Sequence, residues 1–305
     1  MMIKPEISVI MLTYNREKIV PHMIECIQAQ TFENFEFIIV DNGSQDGSGA
    51  VADKYAEGDP RIRVIHKGKG NIGSGRNAGL DAATGEYIAF VDDDDDCDPD
   101  FLEYMLTLAK KHGADISICN AHGKTATAEE TVMNAEESVI MLLWRKKYNV
   151  QFPTKLIKRS LMNEFRFSET DNYDDIGLAP QVLAAAKTVV FGGSPKYTFN
   201  RHDNNNSAWT TNHELITPEI LTEYLRIYKE RTAMLSEKFP ENAAYWRYFR
   251  YSFMISMLEK ITRLSLTESY AIRDDLKKEL LAAKDEFAEC PWILDFEREW
   301  VQTYL

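Results

Sequence analysis

The stretch that decides the fold is NIGSGRNAGLDAATGEYIAFVDDDDDCDPDFLEYM, residues 71–105. Its centre, YIAFV at 87–91, is a short continuous apolar run between Gly85 and an aspartate run, the pattern of a strand buried on both faces. A helical segment precedes it, led in by the glycine-rich residues 68–75 and ending near Gly85. Pro99 opens another, which ends near Gly113. The same alternation extends upstream. Apolar runs at 7–12 (ISVIML), 35–40 (FEFIIV) and 62–66 read as strands. A helix over 16–30 carries Ile19, Met23, Ile24 and Ile27 at helical spacing. A shorter one ends about Tyr55, behind the turn residues Gly43, Ser44, Asp46 and Gly47. Residues 116–119 form a fifth strand. Repeated strand–helix alternation predicts an α/β fold with a mainly parallel sheet covered by helices on both faces.

Past residue 120 the pattern changes. Residues 121–135 are polar and rich in small side chains, and read as a loop. Helices are predicted at 136–144 and 176–186, short strands at 188–191 and 196–200, and a polar loop at 200–212. From 214 onward the chain reads as helical. One stripe is Ile220, Tyr224, Ile227 and Tyr228; another is Trp246, Phe249, Phe253, Met257 and Ile261.

A chain of 305 residues has a prior of about two domains. With 44% apolar and 27% charged residues it has the composition of a globular protein with a sizeable core. The formal charge of −13 argues against bulk nucleic-acid binding, which draws its affinity from Lys and Arg on phosphates. The four cysteines (Cys26, Cys97, Cys119, Cys290) form no CxxC pair, so no zinc or redox motif follows and a reducing, cytoplasmic setting is expected. No apolar run approaches the ~18 residues of a membrane span, and the N-terminus does not have the form of a secretion signal.

In open parallel sheets, ligands bind outside the carboxyl ends of the strands. Here those ends carry Thr13, Tyr14, Asn15 and Arg16 after the first strand, and Asp41, Asn42 and Ser44 after the second. GKGNIGSGRN (68–77) follows the third, and Asp92 to Asp96 the fourth. Like charges ~4 Å apart repel by about 1 kcal/mol even in water, and a hard divalent cation removes that penalty. Asp92 and Asp94 are two apart, so an extended backbone points them the same way. A solvated acidic loop or a loose calcium site is the bland alternative, but the EF-hand spacing fails because Cys97 interrupts it. Gly68, Gly70 and Gly73 match G-x-G-x-x-G, which on its own suggests a dinucleotide oxidoreductase. The match follows the third strand, however, where that fingerprint belongs after the first.

These residues together resemble the N-terminal half of family 2 glycosyltransferases. The resemblance is carried by TYNR (13–16), AQTFENFEFIIVDNGSQDGS (29–48), and NIGSGRNAGLDAATGEYIAFVDDDDD (71–96) followed by PDFLEYM (99–105). It covers residues 6–119 closely, extends weakly to about 210, and leaves out the last ninety residues. It implies a GT-A fold and an inverting transfer from a nucleoside-diphosphate sugar, usually UDP-linked, with Mn2+ or Mg2+. By position, Thr13, Tyr14, Asn15 and Asp41 hold the nucleoside. Arg16, Gly73 and Arg76 stand on the donor side, with Gly75 in place of the usual Ala. The family's metal motif falls on Asp92 to Asp95. It makes Asp94 the metal ligand, with Asp92 or Asp93 on the ribose or a metal water, in a register open by one residue. The general base falls in NYDDIGLAP (172–180), on Asp175 or its neighbour Asp174, where the family has a Glu-Asp pair. Asp175 has the alternative role of helix cap. His202, after YTFNR, is a further candidate at the metal and diphosphate, and Arg201 at the phosphates.

The implied organisation is a nucleotide-sugar half (1–120), an acceptor half (121–212) and a helical C-terminal region (213–305). The partners are a UDP-sugar and a saccharide or lipid-linked saccharide acceptor. The aromatic tail is read first as core packing. Its other readings are a homodimer face or a peripheral membrane surface, since Arg247–Arg263 is apolar at helical spacing with basic ends. The rival to an enzyme is a non-catalytic nucleotide-sugar-binding or assembly subunit with the same fold.

Overall fold

In the computed structural model, which describes residues 4–200 and 208–305, the four upstream apolar runs become parallel neighbours. They are β1 (Ile7–Thr13), β2 (Phe35–Asp41), β3 (Ile62–His66) and β4 (Tyr87–Asp92), in the order β3-β2-β1-β4. The register pairs Thr13 with Asp41, Asp41 with His66, and Leu12 with Asp92. Each strand therefore ends at the same level, and the first polar residue after each apolar run is still held by the ladder. Two helices, α1 (Val20–Gln28) and α4 (Phe101–His112), cover one face. Val20, Met23, Ile24 and Ile27 of α1 join Phe101, Leu102 and Met105 of α4 in the core built on Val9, Met11, Phe37 and Ile39. Each such side chain, once buried, contributes about 1.5–3 kcal/mol. The remaining helices of this region are α2 (Ser48–Gly58), α3 (Ile72–Ala82), α5 (Ala135–Trp144), α6 (Arg159–Met162) and α7 (Asp174–Ala185). The helix read from residue 16 starts at Val20. Asn15 adopts a left-handed φ of 53°, and the Arg16 carbonyl closes a turn on the Ile19 and Val20 amides.

The second half of the sheet departs most from the sequence reading. β8 (Lys155–Lys158) inserts antiparallel between β4 and β6 (Ile116–Ala121). It escaped notice because KLIK is short and lysine-flanked. Lys155 is buried, and its ammonium donates to the backbone carbonyl of Asn149 at 2.8 Å and to that of Gln151 at 2.5 Å. The loop expected over 121–135 contains β7 (Glu130–Met133), antiparallel to β9 (Val189–Thr198). β9 is a single strand across both predicted ones, and slips register against β6 around Asn120. The aspartate run itself supplies β5 (Asp96–Cys97), antiparallel to Tyr197 and Thr198 of β9.

The chain parts after Asn200 into two compact units. The second is helical, with α8 (Pro218–Lys238), α9 (Ala243–Arg263), α10 (Tyr270–Ala282), α11 (Lys284–Ala288) and α12 (Asp295–Tyr304). Its aromatic stripe is its own core: Tyr228 stacks on Phe253 with centroids 4.0 Å apart, and Tyr245, Trp246, Tyr248 and Tyr251 are buried. Glu297 of α12 is buried and accepts from the Tyr248 hydroxyl at 3.1 Å, the Leu294 amide at 2.9 Å and the Ser252 hydroxyl. Among the described residues no helix is long and apolar enough to cross a membrane.

Candidate functional site

The tips of β1 and β2 are laced together. The Ser44 amide donates to Asp41 at 2.9 Å, the Gln45 amide to the Asn15 side chain at 2.8 Å, and the Arg16 amide to Ser48 at 2.7 Å. His66, at the end of β3, lies 3.1 Å from the Asp41 carboxylate. Burial opposes the charge on Asp41, but the Ser44 and His66 bonds outweigh it and hold the carboxyl below its usual range. Tyr14 lies under the Lys69 ammonium, 5.0 Å from the ring centre.

Arg76 is the hub of the site. It projects from α3 with a side chain only 7% exposed and meets acids from two distant segments. Nη2 lies 3.5 Å from Asp92 at the end of β4, while Nη1 lies 3.5 Å from Asp174 and hydrogen-bonds Asp175, both in the first turn of α7. The N-cap of α7 is Tyr173, which makes no side-chain cap bond, and the Asp175 carboxylate goes to Arg76. The capping alternative for Asp175 therefore has no geometric support. Asp174 is buried deeper, its Oδ1 accepting from the Asp175 amide at 3.0 Å. Burial first, and the neighbouring Asp175 second, push Asp174 up to about 7.

The aspartate turn alternates. Asp93 and Asp95 are buried, whereas Asp92 and Asp94 keep more exposure, Asp94 lying 3.6 Å from Arg16. Burial raises Asp93 to about 7 and Asp95 to about 8. The turn is fixed from behind by β9. The Tyr197 hydroxyl accepts from the Asp92 amide at 3.0 Å, and the Asn200 amide donates to Asp95 at 2.8 Å. The Asn200 side chain bonds the Asp94 carbonyl at 2.9 Å and Asp96 at 2.8 Å. Neither Tyr197 nor Asn200 was singled out from the sequence, where both sit in an unremarkable YTFN.

At this edge Asp174 Oδ2 is buried with no hydrogen-bond partner among the described residues, and the buried Thr13 hydroxyl and Asp93 carboxyl have only each other. Buried polar atoms are otherwise almost always satisfied. Asp92 and Asp94, the more exposed carboxylates of the turn, stand beside them. All the donors are hard oxygens, the set that suits Mg2+ or Mn2+. The residues therefore fit such an ion.

The glycine-rich loop does not form a dinucleotide cradle. Asn71 caps α3, accepting from the Ser74 amide at 2.9 Å, and its amide group donates to the carbonyls of Ser168 and Asp171, each at 2.9 Å. The N-terminus of α3 is thus covered. A Cβ on Gly73 would fall on the Ser168 carbonyl, so this glycine serves close packing. The structure brings together Thr13, Tyr14, Asn15, Arg16, Asp41, Arg76, the aspartate turn and the Asp174–Asp175 pair. His202 and Arg201 lie outside the described residues.

The model of the family described as Glycosyl transferase family 2 matches residues 8–169. Among similar proteins, a putative glycosyltransferase EpsH of Bacillus subtilis is 33% identical over 212 residues, 65% of this chain and 61% of that protein. The chain thus spans less than two thirds of that relative. Among solved structures, the S. aureus TarS 1–349 complex with UDP-GlcNAc superposes with a TM-score of 0.65 at 20% identity, covering 93% of this chain and 78% of that one. The mannosyltransferase PcManGT from Pyrobaculum calidifontis, in complex with GDP-Man and Mn2+, has a TM-score of 0.53 at 16% identity, covering 94% of this chain and 88% of the other.

Proposed function

Because the chain belongs to glycosyl transferase family 2, we propose that it transfers a sugar from a UDP-sugar to an acceptor hydroxyl with inversion. The process it serves is the synthesis of a cell-surface polysaccharide or glycoconjugate. The observation that carries this reading is the convergence on Arg76 of Asp92 from the aspartate turn with Asp174 and Asp175 of α7. Donor-side and acceptor-side carboxylates then belong to one constellation.

In this reading residues 1–120 receive the donor and 121–212 the acceptor. Thr13, Tyr14, Asn15 and Asp41 hold the nucleoside, with Arg16 and Arg76 beside the diphosphate. Asp94, with Asp92, holds Mn2+ or Mg2+. Such an ion, when bound, neutralises the charge on the diphosphate leaving group. Asp175, the more open of the acid pair at 20% exposure against 5% for Asp174, takes the proton from the acceptor hydroxyl. Asp174 holds the turn behind it, and Arg76 keeps both carboxylates aimed at one point. The UDP assignment draws support from the TarS complex, and the divalent ion from the PcManGT complex, both of which share the fold. We place the protein on the cytoplasmic side, at the inner membrane face where a lipid-linked acceptor is presented.

A donor screen tests this. UDP-, GDP-, CDP- and dTDP-sugars are each added with and without Mn2+, and melting temperature and released nucleotide are read. A ligand that binds only the folded state raises its stability, by about 2.7 kcal/mol at a hundred times Kd. The expected result is a shift and turnover for one UDP-sugar that require the metal, with both lost in Asp94→Ala. No shift with any nucleotide overturns the reading. Binding without turnover or donor hydrolysis leaves the non-catalytic subunit in its place.

A further inference from the structure

Where β6 and β9 end lies a cavity of ≈ 200 Å³, lined among others by Asn120, Lys124, Arg145, Lys147, Thr154 and Phe199. Its position ties it to the reacting centre. Phe199 precedes Asn200, which bonds the aspartate turn, and Thr154 precedes Lys155, whose ammonium interacts with Asp175. Its charge is opposite to that of the chain. The protein carries 48 acids against 35 Lys and Arg, yet among the described lining residues three are basic and none is acidic. Lys147 is neutralised by Glu129. Lys124 and Arg145 are exposed and have no ion pair among the described residues, and Arg145 sits in a left-handed φ of 52° at the end of α5.

A second observation concerns a residue of the same lining. Thr154 is 3% exposed, and its hydroxyl has no hydrogen-bond partner among the described residues. A buried hydroxyl left unsatisfied is destabilising, and a ligand oxygen reaching it would satisfy it. Lys155 is also fully enclosed, and burial lowers its ammonium to about 7. An anion bound nearby would favour its charged form.

We propose that this cavity is a subsite for an anionic group, phosphate or carboxylate, carried by the acceptor close to the hydroxyl that is glycosylated. Lys124 and Arg145 meet the charge and Thr154 donates to it. The proposal rests on the transferase reading and specifies its acceptor class: a charged saccharide or a phosphate-bearing acceptor in preference to a neutral glycan.

The test uses the full chain saturated with UDP and Mn2+, so that the donor-side phosphate sites are filled. Glucose 1-phosphate, glucuronate and glucose are titrated by calorimetry or ligand-observed NMR against the wild type, Lys124→Ala/Arg145→Ala and Thr154→Val. UDP affinity is measured in the same samples. The expected result is that at least one charged probe binds tenfold or more tightly than glucose, and that this preference falls at least tenfold in the double variant. The tighter charged probe identifies the anion. Thr154→Val weakens the charged probe while raising the melting temperature, because the orphan hydroxyl is gone. Equal binding of glucose and both charged probes overturns the proposal, as does a preference that survives the double variant. Failure of the wild type to bind UDP at all overturns the transferase reading instead, so the two failures are distinguishable.

Discussion

At the residue scale, Arg76 carries the most consequence for its size. An arginine with a side chain 7% exposed among three carboxylates is stable only as part of the set. Removing one member of a buried ionic group costs about 3–5 kcal/mol, since the rest remain uncompensated. Arg76→Met is therefore expected to lose about that much stability, and the loss depends on pH with a definite sign. Asp174, already up at about 7, moves higher without its partner, so protonation relieves the variant. The gap in urea-unfolding free energy between wild type and variant should be widest at pH 8 and narrow clearly by pH 5.5. A gap that stays constant would mean that Arg76 acts through packing alone. The arginine was legible in the sequence as part of GSGRN, and so were the acids. That Arg76 holds Asp174 and Asp175 to Asp92 was not, because nearly a hundred residues separate α3 from α7 and sequence separation carries no distance.

At the element scale, α3 lies unusually close to its neighbours. Gly75 and Gly79 are one helical turn apart on one face, and a Cβ there would press on Leu12 and Ile10 of β1. The Gly75 departure from the family's Ala thus has a packing partner, Leu12, that would have to move. Gly73 faces the backbone of Ser168, which cannot swing aside as a side chain can. Gly73→Ala should cost about 1–3 kcal/mol and push α3 away from the 167–171 segment. Gly68→Ala, with open space around it, should stay within about 0.5 kcal/mol. Denaturant midpoints for the two variants decide this, and equal midpoints would sink the packing account. The glycines were visible from the start, but their G-x-G-x-x-G spacing suggested phosphate binding. Only the placement of 168–171 over the helix start shows that Gly73 is closely packed.

At the scale of the whole molecule, two sets of carboxyls oppose each other. Asp59, hydrogen-bonded by Arg61, is lowered to about 2; its contribution is present above pH 4 and is lost as pH falls towards 2. Asp93, Asp95 and Asp174 are raised to between about 7 and about 8. The folded state then holds more protons than the unfolded one between pH 4 and 8, so stability falls as pH rises through that window. The metal-free protein should be most stable near pH 4–6 and should weaken towards pH 8. Mn2+ should restore stability most at the alkaline end, where these groups are ionised and the ion is bound without displacing protons. Urea unfolding across pH in EDTA and in Mn2+ checks this; a flat EDTA profile would contradict the burial of the acids.

What the sequence determined by itself was everything local in character. Strand-length apolar runs, helical spacing and the polar residues that follow each strand specify four strands of one parallel sheet with one chemical edge, while their order β3-β2-β1-β4 comes from the packed structure. The reason is that period and turn chemistry act within ten or so residues, where neighbours in sequence are neighbours in space. The tertiary structure alone decided what depends on contacts between distant segments. KLIK became a strand because β4 and β6 leave a gap for it, and ETVM because β9 offers a free edge. The aspartate turn is held by Tyr197 and Asn200, and its charges are grouped with those of α7 around one buried arginine. Burial sets which of the five aspartates face inward, and burial is a property of the packed whole.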